Sequence, residues 1–379
     1  MSRNFLFIAI LFCCSCSQAE QVTNATGVET SSDSTATFTS ASLCNRQADA
    51  RTQKVYSILC QLYGKRIISG TVASVDWNTA EAEYVNKWTG KYPALNAFDY
   101  INFRKSKDVN PNGWIDYTDI SPVKSWWGQG GLVSCMWHWQ VLANDGCDYT
   151  CTPGTGSNET SINLDEINDP SSKTYQQLFK DMDQIAGYLG KLQAAGIPVI
   201  WRPLHEAAGN TYEFNGGKAW FWWGSKGAEP FKKLWRLMYD RFTNKHHLNN
   251  LIWVWTAQTG DESWYPGDDV VDIIGIDRYG ILQYPAMKYY QSLSTSYPHK
   301  LITMSECGNG DNNAMADLDK MWNRGAHFSW FMTWYDYDYD YDNGKSAEHR
   351  YATEVWWKDA FSHDYVVTRD EMKALLQSK

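Results

Sequence analysis

Two glutamates stand directly after apolar stretches of the chain. In VIWRPLHEAAG, His205 and Glu206 follow one such stretch, and in LITMSECG, Glu306 follows another. Glycoside hydrolysis needs two carboxyl groups, one protonated to donate to the leaving oxygen and one ionised to attack the anomeric carbon or activate water. The two glutamates predict a pair of this kind, provided that the fold brings them together.

Eight short apolar runs alternate with stretches of helical spacing. The runs are continuous and do not alternate between apolar and polar residues, which is typical of strands buried on both faces. They occupy residues 67–72, 94–98, 132–137, 198–201, 251–256, 271–276, 301–304 and 328–333. Apolar residues recur every three or four positions in segments 175–196, 230–242 and 314–325, which predicts helices. This order predicts an α/β fold with a parallel sheet, closed into a single (β/α)8 TIM barrel.

An open, doubly wound sheet is the alternative fold. It usually carries a glycine-rich phosphate-binding turn after its first strand, whereas the first run here continues as ISGTVASVDW. In a barrel, catalytic groups lie at the carboxyl ends of strands. Glu206 follows the fourth run and Glu306 the seventh, so we expect their carboxyl groups to face each other. A separation of about 5–5.5 Å would indicate retention through a covalent intermediate.

Each glutamate also has a structural alternative. Either carboxylate could form an ion pair with Arg202 and serve only the fold. We expect Arg202 to orient neighbouring carboxylates rather than to touch a substrate. Two such glutamates, at the ends of strands four and seven and among tryptophans, favour catalysis over the structural alternative.

Several motifs together resemble the glycoside hydrolase family 26 β-mannanases. They are WRPLHEAAG with the downstream WFWWG, then WYPGDDVVDIIGIDRYG, and LITMSECG. The resemblance extends from about residue 67 to residue 334 and implies a barrel with catalytic glutamates on strands four and seven. It implies that Glu206 is the acid/base and Glu306 the nucleophile of a retaining endo-β-1,4-mannanase. Such an enzyme cleaves mannan, galactomannan or glucomannan by double displacement.

The same resemblance implies further substrate-site residues. They are His138 in MWHW, His205, Trp220 in WFWWG, Asp277 and Tyr279 in GIDRYG, and Trp334 in MTWYD. Tyr279 would hydrogen-bond the nucleophile, and Trp334 would form the floor of the pocket. As alternatives, the two tryptophans are core residues and Asp277 is a structural strand-end carboxylate. We expect no cofactor and no metal, because the two histidines lack the spacing of metal ligands.

The composition favours a neutral partner. Aromatic residues make up 15% of the chain, with 20 tryptophans, which suits the stacking of sugars or bases. The net charge of −9 argues against nucleic acid, because phosphate binding needs a basic face. These observations favour a neutral ligand such as a sugar. The resemblance implies that this ligand is a β-mannan polysaccharide or oligosaccharide, and we expect a monomer.

The first residues have the pattern of an export signal. Arg3 precedes the apolar run FLFIAILF, which is too short to span a membrane as a helix. The following CCSC resembles a bacterial lipoprotein cleavage site, so residues 1–16 would be the signal peptide and Cys16 the lipidated residue, with Cys14 as a weaker candidate. The protein would be a membrane-anchored lipoprotein, periplasmic or on the outer-membrane surface. Cleavage near Ala19 would instead make it a secreted protein.

Two further segments carry predictions. Residues 17–42 are rich in Ser and Thr and predict a flexible tether, which leaves 43–379 as the catalytic domain. In CDYTC, the spacing predicts a small disulfide between Cys147 and Cys151. The segment YDYDYDYD, residues 335–342, could bind calcium or sugar hydroxyls, but a solvated loop is favoured.

Two alternative functions stay open. The same family includes β-1,3-xylanases and mixed-linkage glucanases, and only pocket geometry around C2 separates mannose from glucose. A non-catalytic surface glycan-binding lipoprotein would also have an anchor, a tether and many aromatics. The two glutamates argue against this second alternative, because a binding protein gains nothing from paired carboxylates.

Overall fold

The computed structural model describes residues 42–74, 76–143, 149–153, 160, 162–209, 219–258, 260–280, 283–309, 315, 317–340 and 342–378. All of them lie in the unit Phe38–Lys379. The predicted signal peptide, the candidate lipidation site Cys16, the predicted tether up to residue 41 and Cys147 lie outside the described residues.

Eight parallel strands close into a barrel. They are β1 Ile67–Val72, β2 Leu95–Asp99, β3 Leu132–Trp137, β4 Val199–Pro203, β5 Leu251–Ala257, β6 Ile273–Tyr279, β7 Leu301–Gly308 and β8 Trp330–Thr333. Each strand pairs with the next, and β8 pairs with β1, where Ile68 lies opposite Trp330. The predicted (β/α)8 barrel is confirmed. A further short strand, Val366–Val367, pairs with the start of β1.

Successive strand residues pack into two different apolar clusters. In β5, Ile252 and Val254 belong to an inner cluster, whereas Trp253 and Trp255 belong to an outer cluster between strands and helices. Because side chains alternate across a strand, both faces must be apolar when both are covered. This double burial explains why the strand sequences are continuous apolar runs.

Two strands extend three or more residues beyond the ends that their apolar runs predict. The run predicted at 271–276 becomes β6, which ends at Tyr279, and β7 continues beyond Met304 to Gly308. The extra residues include Asp277 and Glu306, which lie opposite each other after a register shift in the ladder. Because the side chains at these positions are polar, the apolar pattern ends before the strands do.

Helices follow the strands along the chain. They are α1 Ala50–Leu62, α2 Ala80–Thr89, α3 Ser121–Gly128, α4 Lys173–Ala194, α5 Ala228–Tyr239, α6 Gln283–Ser296, α7 Leu318–Trp322, α8 Glu354–Ala360 and α9 Arg369–Gln377. The helix α1 precedes the barrel and contributes Val55 and Leu59 to the inner cluster. Among the described residues, no helix combines the length and the apolar character needed to cross a bilayer.

The helices match the predicted segments to different degrees. The segment 175–196 corresponds to α4, where Ser172 caps the first turn by accepting from the backbone N–H of Tyr175 at 2.9 Å. The segment 230–242 corresponds to α5, which continues as a π-helical turn, Asp240–Lys245. The segment 314–325 was predicted too long, because Asp317 caps the helix by accepting from Lys320 N–H at 2.8 Å and so sets a late start.

Candidate active site

Glu206 lies in an irregular turn that follows β4. Leu204 and Glu206 both have positive φ angles, 49° and 50°. Residues other than glycine seldom adopt this conformation, and it persists at functional sites where surrounding contacts enforce it. The turn is held by Gly209 N–H, which donates to the Glu206 carbonyl at 2.9 Å. The indole N–H of Trp223 donates to the His205 carbonyl, also at 2.9 Å.

The carboxylate on β7 is held by an arginine and a tyrosine. One oxygen of Glu306 pairs with Arg202, and the other accepts from the Tyr279 hydroxyl at 2.6 Å. Arg202 also pairs with Asp277 at 2.8 Å, and the Ser305 hydroxyl donates to that carboxylate at 2.6 Å. Three strands thus hold Glu306 in one orientation.

Glu206 has a different environment from Glu306. It is 9% exposed, and its described hydrogen bond is a long one from the Gln258 amide, at 3.4 Å. Within the described ranges, no arginine or lysine forms an ion pair with Glu206. The arginine that neutralises Glu306 therefore leaves Glu206 without a direct cationic contact.

These environments separate the pKa values of the two glutamates. Burial raises the pKa of Glu206 well above its usual range, and the charges of Asp277 and Glu306 raise it further. Burial also raises the pKa of Glu306, to about 7, although the Arg202 guanidinium and the Tyr279 hydroxyl oppose that rise. Because the two carboxyls interact, they lose their protons in sequence. Glu306 ionises first, and Glu206 keeps its proton.

A buried chain of side chains supports the turn that carries Glu206. His138 Nδ1 lies 2.6 Å from Asp99 Oδ2, and His138 Nε2 lies 3.1 Å from His205 Nε2. The other oxygen of Asp99 accepts from the backbone N–H groups of His138, at 3.2 Å, and Ile101, at 2.9 Å. Since both oxygens of Asp99 accept, the carboxylate keeps a proton on His138 Nδ1.

Burial indicates which histidine donates the hydrogen bond between His138 and His205. Burial, helped by the charge of Arg202, lowers the pKa of His205 well below its usual range, so this imidazole is neutral. Its Nδ1 is buried and, in the described part of the chain, has no hydrogen-bond partner. A buried N–H without a partner is rarer and less favourable than a buried acceptor without one. We infer that His205 donates from Nε2 to Nε2 of His138.

Both predicted site tryptophans keep some exposed surface. Trp334 is half-buried, and its ring centroid lies 6.0 Å from that of His138. Trp220 is also half-buried, and its ring lies directly against Gly209 in the turn after β4. Other tryptophans serve the core, including Trp222 and Trp223 of the same WFWWG motif, which are fully buried.

Sequence reasoning missed three side chains of the site. Asp99 ends β2 and holds His138, Gln258 follows β5 and contacts Glu206, and Ser305 holds Asp277. The strand-end rule that singled out Glu206 applies equally to Asp99 and Gln258. No sequence signal distinguishes Ser305 from an ordinary buried serine.

Two predicted features lie partly outside the described residues. Cys147 is outside them, and so is the predicted disulfide; Cys151 is buried. In the Asp/Tyr-rich segment, Asp336 accepts from the backbone N–H groups of Arg350 and Asp338, at 2.7 and 3.2 Å. Among the described residues, no group of three or more His, Cys, Asp or Glu side chains is arranged to hold a metal ion.

Comparison with known proteins identifies the family. Residues 44–371 match Glycosyl hydrolase family 26. The chain belongs to this family. The resemblance predicted from the motifs is confirmed.

Curated relatives of the family 26 chain are mannanases. A mannan endo-1,4-beta-mannosidase from Thermothelomyces thermophilus is 34% identical over 337 residues, which cover 88% of this chain and 63% of that protein. Mannan endo-1,4-beta-mannosidase B from Piromyces sp is 31% identical over 340 residues, 87% of this chain and 53% of that protein. This chain therefore spans between about half and two thirds of the lengths of these relatives.

Solved structures of similar sequence share the fold. The family 26 domain of an endo-beta-mannanase/endo-beta-glucanase from Prevotella bryantii is 36% identical, with a TM-score of 0.77 over 87% of this chain and 98% of that one. A beta-mannanase from a symbiotic protist of the termite Reticulitermes speratus, complexed with gluco-manno-oligosaccharide, is 31% identical. Its TM-score is 0.72 over 88% of this chain and 98% of that one.

Proposed function

We propose that the protein is a retaining endo-β-1,4-mannanase that hydrolyses mannan, galactomannan or glucomannan. The observation that carries this proposal is the pair of buried glutamates, Glu206 in the turn after β4 and Glu306 on β7, one held protonated and one paired with Arg202. Family membership and the mannanase names of the curated relatives support the substrate class.

The reaction would proceed by double displacement. Glu306 attacks the anomeric carbon, and Glu206 donates its proton to the departing glycosidic oxygen. The result is a covalent glycosyl–enzyme ester on Glu306. Glu206, now ionised, then takes a proton from water, and that water attacks the anomeric carbon from the side the leaving group had occupied. The carbon–oxygen bond to Glu306 breaks, and the product keeps its original configuration.

The electrostatics of the site fit the change of role of Glu206. While Glu306 is ionised, its charge raises the pKa of Glu206 and keeps the proton in place. Ester formation removes that charge, so the pKa of Glu206 falls when the residue must act as a base. Arg202 stays paired with Asp277 throughout and is ready for the carboxylate that the second step releases.

The remaining predicted residues take supporting roles in this proposal. Trp334 and Trp220 keep exposed ring surface and would stack on sugar rings. His138 and His205 are only 3% and 1% exposed, so their main role would be to hold the turn of Glu206, with sugar contact limited to ring edges.

The first test is cleavage of several β-glycans by the purified protein. We expect reducing ends to be released from galactomannan and glucomannan, and the release to be lost in Glu306→Ala. Glu348→Ala is the matched control, because this side chain is 62% exposed on the surface. Full activity of Glu306→Ala would contradict the assignment of the nucleophile.

Other substrates in the same assay separate the alternatives. Cleavage of β-1,3-xylan or mixed-linkage glucan instead of mannan would keep the mechanism and replace the substrate. Binding of glycans without cleavage of any of them would indicate a glycan-binding protein. With Glu206→Ala and an aryl β-mannoside, the aryl group leaves without an acid and the glycosyl ester forms on Glu306. Azide should then restore turnover and give the β-mannosyl azide, because this anion attacks the anomeric carbon without a general base and displaces the Glu306 carboxylate.

We propose further that the protein is exported and carries a lipid on Cys16. The support is the sequence of the first sixteen residues, in which Arg3 precedes the short apolar run FLFIAILF and the segment CCSC follows that run. Metabolic labelling with an alkyne fatty acid in a bacterial host should mark the wild-type protein and Cys14→Ser, but not Cys16→Ser. Labelling that persists in Cys16→Ser would contradict the assignment.

A further inference from the structure

A row of three aromatic rings leads outward from the active site. The row consists of Trp334, Tyr335 and Tyr337, from the end of β8 and the segment that follows it. Ring centroids are 5.4 Å apart for Trp334 and Tyr335, and 6.1 Å apart for Tyr335 and Tyr337. Since Trp334 lies beside His138, the row begins at the catalytic centre. It ends at Tyr337, whose side chain is 43% exposed.

The outer ring is held in place before any ligand arrives. The guanidinium of Arg350 lies 5.8 Å from the centre of the Tyr337 ring and 5.6 Å from that of Tyr351. Its Nη1 also donates to the Tyr337 hydroxyl at 3.0 Å. A fixed exposed ring loses less conformational freedom on binding than a mobile one, so it binds a partner more tightly.

The segment that carries Tyr337 is tied to the catalytic strands. Tyr351 accepts at its carbonyl from Asn309 N–H, just after β7, at 2.8 Å. Its ring lies 5.7 Å from that of Tyr279, the residue that donates to Glu306. Asp336, 3% exposed, joins the two ends of the segment through Arg350 N–H. A purely solvated loop would need none of these contacts, so the attachment indicates a role that depends on position.

Polar groups suited to sugar hydroxyls surround the row. The Arg350 and Asp338 side chains are exposed beside Tyr337. Asp76, from the segment after β1, lies close enough to Tyr335 for its charge to contribute to the raised pKa of that tyrosine. In the described part of the chain, no side chain or backbone group pairs with the Asp76 carboxylate. An aromatic face bordered by a few polar side chains is the composition expected of a ligand-binding site, and here the ring could stack on a sugar while the polar groups bind its hydroxyls.

We propose that Tyr337, held by Arg350, is an outer sugar-binding platform for the polysaccharide chain beyond the Trp334 subsite. This inference rests on the proposed function, because it needs a β-linked chain that continues out of the active site. It gives the Asp/Tyr-rich segment a role in selecting long chains over short ones.

The test compares substrates of different length. For Tyr337→Ala, the ratio of kcat/KM on mannohexaose to that on mannotetraose should fall about 3- to 10-fold, the range for loss of one aromatic contact. The change should appear mainly in KM, because binding distant from the reacting bond is lost equally from substrate and transition state. Tyr337→Phe, which keeps the ring, should retain most of the ratio.

Tyr284→Ala is the matched control. Tyr284 is likewise exposed, at 55%, and lies under a cation, Lys288, at 4.8 Å, but it belongs to α6 and not to the row. Melting temperatures of all variants should match the wild type. Arg350→Met leaves the Tyr337 ring present but removes the guanidinium that holds it. This variant should therefore lower the ratio, as Tyr337→Ala does.

The outcomes separate this inference from the proposed function. If the wild type cleaves mannans and Tyr337→Ala changes the ratio no more than Tyr284→Ala does, the outer platform is overturned and the mannanase stands. If the wild type cleaves no mannan, both are overturned. An equal loss on both oligosaccharides would also overturn the platform, because it would place Tyr337 at the catalytic centre.

Discussion

The substitution Asp99→Asn should reverse the direction of the hydrogen bonds between the two active-site histidines. Asp99 Oδ1 accepts from the backbone N–H groups of Ile101 and His138, so an asparagine must place its oxygen there. Its amide nitrogen then faces His138 Nδ1 in place of Oδ2. Two donors cannot share that contact, so His138 must release its Nδ1 proton and carry a proton on Nε2 instead.

The change passes from one histidine to the next. A proton on His138 Nε2 points at His205 Nε2, 3.1 Å away, which must become an acceptor. The proton of His205 then moves to Nδ1, which is buried and lacks a partner in the described structure. One orphaned buried donor costs about 1–3 kcal/mol. We expect the turn of Glu206 to shift and relieve this cost, so kcat/KM should fall, at most by the factor of about 5 to 150 that corresponds to this free energy.

Nitrogen-15 spectra of histidine-labelled protein measure this reversal without reference to activity. The chain has eight histidines, so the ring signals of His138 and His205 can be assigned by substitution. We expect Nδ1–H on His138 and Nε2–H on His205 in the wild type, and the opposite in Asp99→Asn. The exposed Asp165, with 68% of its side chain accessible, provides the control Asp165→Asn. Unchanged tautomers in Asp99→Asn, or full activity, would refute the reasoning.

Three further changes test the assignment of the two glutamates. Tyr279→Phe removes a hydrogen bond that lowers the pKa of Glu306, so the acidic limb of the kcat/KM profile should move to higher pH; an unmoved limb would argue against the ionised nucleophile. Gly275→Ala places a methyl group 2.9 Å from the Ser305 Cβ, so urea unfolding should show a loss of about 1–3 kcal/mol together with a lower kcat. Glu206→Gln should abolish cleavage of mannan. Its free energy of unfolding, measured by calorimetry, should increase relative to that of the wild type as pH rises above about 4.3. The sign follows because the folded-state pKa of this carboxyl is raised, so as pH rises the wild type loses the stability that this carboxyl contributes, and the variant has no such contribution to lose; a falling relative stability would contradict the raised pKa.

The barrel could be predicted from sequence because the burial of its strands on both faces produces runs of apolar residues along the chain. Strands such as β5 are covered on both sides and so appear as unbroken apolar runs. The strand ends were less predictable, since β6 and β7 continue through Asp277 and Glu306. Those residues extend the ladder through backbone pairing after a register shift, and backbone pairing leaves no trace in side-chain hydropathy.

Without the family resemblance, the site was predictable only where one residue suggests its own chemistry. A glutamate at a strand end suggests acid or nucleophile chemistry by itself, and so Glu206 and Glu306 could be singled out. Asp99 acquires its role only through His138, which follows a different strand, and its contact spans 39 positions in the sequence. Gln258 depends in the same way on the unusual turn after β4, whose positive φ angles are set by tertiary contacts and not by residue type.

The division of roles between the two glutamates follows from the reach of one arginine. Arg202 has a planar guanidinium whose two outer nitrogens bind Asp277 and Glu306, and this geometry matches two carboxylates at once. Both partners can then be ionised although they are buried. The third carboxyl, Glu206, shares the same buried space without such a contact, and its ionisation would add a further negative charge beside two others. The two glutamates are the same residue type and share one buried site, so the position of Arg202 on β4 decides which one holds the proton.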